Sequence, residues 1–80
     1  MQTIITKFLG ATNTRGNRVT AKSWNGKATE SWDYALDVRG NHEAAAKALI
    51  ADIKDRTGVE WEIVAAGNTP DDSGYAFIIQ

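Results

Sequence analysis

The dipeptide Asn25-Gly26 separates two segments, 18–24 and 27–34, whose residues are typical of β-strands. Asn-Gly is the strongest short-range signal for a two-residue type I′ turn, because both residues tolerate the positive φ angles that this turn requires. A two-residue loop at these positions sets the register of the hairpin, and the register decides which side chains share a face. The sequence therefore predicts a β-hairpin in which Trp24 lies opposite Lys27.

The predicted hairpin has one apolar and one polar face. In this register Val19, Ala21 and Trp32 point toward a core. The other face is expected to be exposed to solvent, basic and rich in hydroxyl groups, with one large aromatic side chain among its cations. Its members are Arg18, Thr20, Lys22, Trp24, Lys27, Thr29, Ser31 and Asp33.

Helical periodicity begins after Asn41, which is a good N-cap residue. The helix is predicted to end near Arg56, with Gly58 just beyond it as the C-cap residue. His42 is expected in the first turn, exposed to solvent or beside the cap. Four apolar residues at helical spacing form the predicted buried stripe: Ala46, Leu49, Ile50 and Ile53.

Three further segments, 3–9, 59–65 and 75–79, have the residue patterns of strands. The predicted order of elements is therefore β-β-β-α-β-β. This order indicates an α+β fold of two layers, with a mainly antiparallel sheet of about five strands packed on one helix. The inward residues of segment 59–65 are predicted to be Val59, Trp61, Ile63 and Ala65.

Length and composition limit the classes of protein to which the chain can belong. Its 80 residues are enough for one small domain, residues 1–80, and none is a cysteine, which excludes disulfides and thiolate zinc sites. The apolar runs are far shorter than a membrane span, and residues 1–10 lack the pattern of a secretory signal. We therefore expect a soluble cytoplasmic protein that does not enter a membrane.

No group of residues has the pattern of a catalytic or metal-binding site. His42 has no cysteine and no second histidine to complete a metal site. Asp71 and Asp72 follow a proline in a turn-rich loop, so turn formation explains them. A phosphate-binding glycine loop is absent, and no serine has a histidine that would act as its base. We expect no catalytic residue, no metal and no cofactor.

Charge is divided unevenly along the chain. Residues 1–29 carry five cations and no acid, whereas residues 30–80 carry ten acids and four cations. Such asymmetry marks either an interaction face or two halves that attract each other within the fold. The candidate partner-binding residues are Asn13, Thr14, Arg15, Arg18, Lys22, Trp24 and Lys27.

The basic region has three interpretations. Its arginines and Trp24 would suit an acidic protein surface, because Trp and Arg are enriched at binding hot spots. The same cations, with Lys7, would also contact phosphates, and Trp24 would then stack on a base. In the third interpretation Trp24 only makes a cross-strand cation–π contact with Lys22 or Lys27.

Three N-terminal motifs resemble those of small proteins found in bacteria, phages and mobile elements: Thr6-Lys7-Phe8-Leu9-Gly10, Thr12-Asn13-Thr14-Arg15-Gly16 and Arg18-Val19-Thr20-Ala21. The likeness continues in an aromatic-rich third strand at 32–36, in His42 beside the alanines of 44–46, and in a closing strand at 74–77. The resemblance implies no activity. It implies a mobile-element setting, in which compact proteins of this size often inhibit host defence systems.

The sequence thus indicates a non-enzymatic binding protein, encoded by a phage or mobile element, that is a monomer or a small homo-oligomer. The expected partner is a bacterial protein or ribonucleoprotein complex, such as a defence system that is inhibited in an anti-CRISPR-like manner. The alternative is a small nucleic-acid-binding protein that uses the basic face of the hairpin.

Overall fold

A computed structural model describes all 80 residues and contains one sheet of five antiparallel strands and a single helix. The elements are β1 (Gln2–Leu9), β2 (Arg18–Ser23), β3 (Gly26–Ser31), α1 (Val38–Thr57), β4 (Ile63–Asn68) and β5 (Gly74–Ile79). The strands lie side by side in the order β3-β2-β1-β5-β4. This architecture confirms the α+β fold and the order of elements predicted from the sequence.

The helix packs against one face of the sheet, and the core lies between these two layers. The opposite face of the sheet has no second helix to cover it, so it is open to solvent. α1 lacks the combination of length and apolar character that a membrane span needs. The core residues, each at most 1% exposed, are Ile4, Val19, Ala21, Ala45, Ala46, Leu49, Ile53, Phe77 and Ile79.

The helix begins earlier than the sequence predicts. Asp37, not Asn41, is the N-cap residue, and its Oδ1 accepts a hydrogen bond from the Gly40 amide at 2.6 Å. Asn41 is instead buried in the first turn, where its Oδ1 accepts from the Asp33 amide at 2.7 Å and its Nδ2 donates to backbone carbonyls of the preceding loop. The C-cap prediction is confirmed, because the Gly58 amide donates to the Lys54 carbonyl at 2.7 Å.

The predicted register of the hairpin is wrong. The two-residue turn is Trp24-Asn25, Gly26 pairs with Ser23, and Lys22 lies opposite Lys27 rather than Thr29. Gly26 has a φ of 115° and is the first residue of β3, so it supplies positive φ at the end of the turn rather than inside it. Asn25 is held from outside the hairpin, because Arg56 donates to its side-chain oxygen at 3.0 Å and to its carbonyl at 2.6 Å.

This change of register preserves the two faces of the hairpin, and two predicted members leave the polar face. Each β2 residue pairs two positions earlier on β3 than predicted, and an even shift leaves alternate side chains on the same side. Trp24 now lies in the turn, outside the ladder. Asp33 also leaves the predicted face, because β3 ends at Ser31 and residues 32–36 form a turn instead of an aromatic-rich strand.

The fourth strand is also displaced from its prediction. β4 begins at Ile63 rather than at Val59, which is 50% exposed. A bulge between Ile63 and Ala65 breaks the alternation, because an extra residue there shifts the side chains that follow. As a result Ala66 packs against the core, and Ala65 is exposed instead of pointing inward.

Candidate binding surface on the open sheet face

The side of the sheet opposite the helix forms a continuous surface, which we call the open face. Ile4 and Thr6 of β1 are buried beneath the helix, so the alternating positions of β1 and their pairing partners point the other way. No carboxylate occurs among the side chains of the open face. Its members are Thr3, Ile5, Lys7, Leu9, Arg18, Thr20, Lys22, Lys27, Thr29, Ser31, Ala65, Ala76 and Ile78.

Strand order divides the open face into a basic half and an apolar half. Lys27, Lys22 and Ile5 are neighbours across β3, β2 and β1, and Ala76 of β5 continues the same row. Arg18 and Lys7 lie in adjacent rows of the same surface. The basic half therefore covers β2, β3 and part of β1, whereas β5 and β4 contribute aliphatic side chains.

The cations of the first 29 residues have no acidic partners. All three ion pairs lie in the second part of the chain: Lys47–Glu43 at 3.6 Å, Lys54–Glu60 at 3.3 Å and Arg56–Asp52 at 3.0 Å. No ion pair joins the two parts of the chain. The charge asymmetry in the sequence is therefore retained in the fold without ion pairs between the two parts. An acid lies at the edge of the basic half, where Asp71 lines a depression together with Ile5 and Lys7.

Lys22 and Lys27 are directly opposite each other on antiparallel strands, and both are exposed. Like charges in this position destabilise a sheet, whereas an acid at either position would stabilise it. No carboxylate forms a salt bridge with either lysine. The pair thus has a cost to stability that no contact within the chain offsets.

A shallow depression of about 270 Å³ lies on the open face between Lys7 and Lys22. Its apolar lining comes from Ile5 and Leu9, and Thr20, which is only 9% exposed, also lines it. Two ammonium groups beside an aliphatic floor can hold an acidic side chain while its methylene groups contact the apolar lining.

Trp24 is not part of this surface. It is 50% exposed and packs edge-on against Trp61, with 5.1 Å between the ring centroids. The predicted placement of Trp24 among the lysines is therefore wrong, because the turn redirects its side chain toward the segment before β4. Its contact with Trp61 replaces the predicted cation–π contact with Lys22 or Lys27.

The turn that contains Asn13, Thr14 and Arg15 is held by its own backbone and by Thr12. The Thr12 amide donates to the Arg15 carbonyl at 2.7 Å, and Thr12 Oγ1 accepts from the Arg15 amide at 3.1 Å. Asn13 and Thr14 are exposed in this turn, away from the strand ladder. Arg15 meets Arg18 in an open cleft of about 460 Å³ beside the end of β3.

The structure thus places only some of the predicted site residues on one surface. Lys22, Lys27 and Arg18 lie on the open face, and Arg15 borders it. Sequence reasoning missed the aliphatic part of the surface, although the alternation of Ile5, Lys7 and Leu9 in the first strand was visible. Recognising it required the strand order, which places β1 in the centre of the sheet.

His42 is 2% exposed, so the expectation of an exposed or cap-side histidine is wrong. Its Nδ1 lies 2.7 Å from the Thr6 hydroxyl, and its ring contacts that of Tyr75 with 4.9 Å between centroids. Burial lowers the pKa of His42 below its ordinary value of 6.5. The histidine is therefore a neutral member of the interface between helix and sheet.

The Asp71-Asp72 pair forms a turn. Hydrogen bonds from the Ser73 amide and from the Thr69 and Ser73 hydroxyls lower the pKa of Asp71 to about 2. Nowhere in the structure do three or more His, Asp or Glu side chains converge as metal ligands would. The candidate site is thus a surface of cations, hydroxyl groups and aliphatic side chains.

No protein family, curated protein or solved structure matches this chain. The resemblance of its N-terminal motifs to small proteins of phages and mobile elements stays a prediction.

Proposed function

We propose that this protein is a non-enzymatic binding protein whose open face docks onto an acidic surface of a protein partner. The observation that carries the proposal is the opposed pair Lys22–Lys27, which lies among strand side chains that include no carboxylate and forms no ion pair. A pair that weakens the free fold is expected where a ligand supplies the missing negative charge, because functional sites are retained at a cost to stability.

The apolar half of the open face favours a protein partner. Ile5 is 44% exposed in the middle of the central strand, and Ile78 and Ala65 extend the aliphatic surface toward β4. Protein interfaces combine such an apolar centre with a polar rim. Trp32 and Tyr34 adjoin the open face only at its edge, beside Arg18 and Ser31, so the centre of the open face lacks the stacking platforms typical of surfaces that bind single-stranded nucleic acid.

The setting of this partner follows from the N-terminal resemblance. A phage or mobile-element protein of this size would act on a bacterial macromolecular complex, and a defence complex of the kind that anti-CRISPR-like proteins inhibit is the proposed partner. Many such complexes contain nucleic acid. A basic protein would bind an acidic protein surface beside that nucleic acid, or would compete with the complex for the nucleic acid's binding region.

The test compares two variants with the same change of net charge. Lys7→Glu/Lys22→Glu reverses the charges beside the central depression, whereas Arg39→Glu/Lys47→Glu reverses two exposed charges on the helix. Each variant and the unmodified protein are used for affinity capture from nuclease-treated bacterial lysate. A captured protein is then purified, and its affinity for all three chains is measured.

We expect the variant of the open face to bind about 100-fold more weakly or not at all, because two reversed charges meet an acidic surface. The helix variant should bind like the unmodified protein. Equal binding by both variants would show that the open face is not the docking surface. If the protein captures no partner from nuclease-treated lysate but recovers nucleic acid from untreated lysate, the proposal of a protein partner is contradicted.

Nucleic acid is the second candidate, and the row of unpaired cations favours it. If Lys7, Arg18, Lys22 and Lys27 each contact a phosphate, the logarithm of affinity falls with the logarithm of salt concentration with a slope of about −3 to −4. A gel-shift titration at low salt measures this slope. No shift of DNA or RNA at low salt would eliminate the candidate.

A further inference from the structure

The cleft that contains Arg15 and Arg18 has features that the docking proposal does not use. It lies between the 10–17 loop and the end of β3, and its volume of about 460 Å³ is within the usual range for a small-molecule site. Trp32 and Tyr34 form its far wall, beyond the last residue of β3. We propose that this cleft binds a mononucleotide, with its phosphate on the two arginines and its base against the aromatic wall.

The donors of the cleft are not used up by contacts within the chain. Nη1 of Arg18 donates to the carbonyls of Gly10 and Gly16, at 3.5 and 3.3 Å, which orients the guanidinium group. Its Nε and Nη2 donate to nothing in the chain, and the Arg15 side chain makes no hydrogen bond or ion pair. The hydroxyls of Thr29 and Ser31 add two neutral donors on the floor.

This donor set selects an anion, and a phosphate in particular. The lining of the cleft includes no carboxylate that would neutralise the arginines. Guanidinium groups present several N–H donors in a planar fork, which matches the oxygens of a phosphate. Two such forks with neighbouring hydroxyls can satisfy three phosphate oxygens together.

The aromatic wall indicates that the anion is attached to a planar ring. Tyr34 is 81% exposed, although its ring is large and mainly apolar. Its hydroxyl accepts a hydrogen bond from Nδ2 of Asn17 at 3.3 Å, which holds the ring at the edge of the cleft. A nucleobase that stacks on Tyr34 would cover this exposed surface, and the phosphate of the same nucleotide would then reach Arg15.

The experiment is an NMR titration of the ¹⁵N-labelled full chain with AMP, inorganic phosphate and adenosine. The indole N–H of Trp32 reports on the cleft, while those of Trp24 and Trp61, which pack together elsewhere, serve as internal controls. We expect saturable shifts of the Trp32 signal with AMP, and weaker binding of phosphate and adenosine. The control indoles should not move.

Matched variants locate the site. Arg15→Gln is expected to weaken AMP binding about tenfold or more, because it removes a charge-assisted hydrogen bond to the phosphate. Its fold should persist, since the Arg15 side chain makes no contact that stabilises the turn, and the unchanged Trp24 and Trp61 signals verify this. Tyr34→Ala should weaken AMP and adenosine but leave inorganic phosphate unchanged, and Arg39→Gln should change nothing.

Two results would overturn the proposal: no saturable shift of Trp32 with AMP, or equal AMP affinity in the unmodified protein and Arg15→Gln. The cleft shares Arg18, Thr29 and Ser31 with the open face, but Lys7 and Lys22 lie outside the cleft, so the docking variant changes none of its residues. Conversely, if Lys7→Glu/Lys22→Glu loses partner capture, this result says nothing about AMP binding, which the NMR titration measures separately.

Discussion

Replacing Lys27 by glutamate should stabilise the free protein while impairing its proposed function. Lys27 lies directly opposite Lys22, so Lys27→Glu converts a like-charge pair into an opposite-charge pair. Cross-strand pairs of this kind contribute roughly 0.2–1 kcal/mol, and like charges destabilise by similar amounts. Because both side chains are exposed, we expect the free energy of unfolding to rise by about 0.5–1 kcal/mol.

This gain is measurable by thermal and urea unfolding. For a chain of 80 residues it corresponds to a rise in Tm of roughly 2–8 °C. Lys27→Gln, which removes the repulsion without adding an attraction, should give about half of that. Raising salt to ~1 M shortens the screening length to ~3 Å and should abolish most of the difference.

Two controls isolate the pair as the cause. In a Lys22→Gln background, Lys27→Glu should bring little gain, because the partner charge is absent. Lys47→Glu, which places a second acid beside Glu43 on the helix, should lower stability instead. An unchanged or lowered midpoint for Lys27→Glu at low salt would refute the assignment of Lys22–Lys27 as an unfavourable pair.

Three further predictions concern the core and its supports. The free energy of unfolding should be constant above neutral pH and fall as pH drops below about 6.5, because the lowered pKa of His42 makes the unfolded chain bind the proton first. Urea midpoints between pH 8 and 5 measure this fall. The variant His42→Gln should flatten the dependence of stability on pH. Asn41→Ala should lower the free energy of unfolding by about 2–4 kcal/mol, because the buried backbone groups that the Asn41 side chain bonds lose their partner. Urea unfolding measures this loss, and a value below ~1 kcal/mol would contradict the structural role of Asn41. Gly74→Ala should destabilise the protein by at least ~2 kcal/mol or prevent folding, because a Cβ at this position overlaps the Thr6 carbonyl. A Cβ at Gly67 meets open space, so Gly67→Ala should cost much less stability. Equal effects of the two variants in thermal unfolding would contradict the close approach of Gly74 to Thr6.

The overall fold was predictable because its signals are local. Alternation, helical periodicity and Gly58 each depend on neighbouring residues, and they suffice for the order of elements. The hairpin register was not predictable, because Arg56 reaches Asn25 from the end of the helix, 31 residues away in sequence. A long-range contact of this kind is not visible in the local pattern of residues 23–27.

The candidate surface was predictable only in part. Its cations were visible as a basic segment without acids, and three of them lie where the hairpin faces predicted. The aliphatic half depends on β1 being the central strand between β2 and β5, and no pattern in the sequence specifies that order. Trp24 was misplaced for the same reason as the register, because Trp24 is a residue of the observed turn and not of the predicted strand.

The pairing of the first strand with the last has a consequence for how the chain folds during synthesis. Ile4 lies opposite Phe77 in the interior of the sheet, so two of its neighbouring strands are the first and the last of the five to be synthesised. The hairpin and the helix can form early, but the core closes only when residues 74–79 have emerged. Until then the edge of β1 that pairs with β5 stays unpaired, so we expect the nascent chain to expose an open strand edge until β5 has emerged.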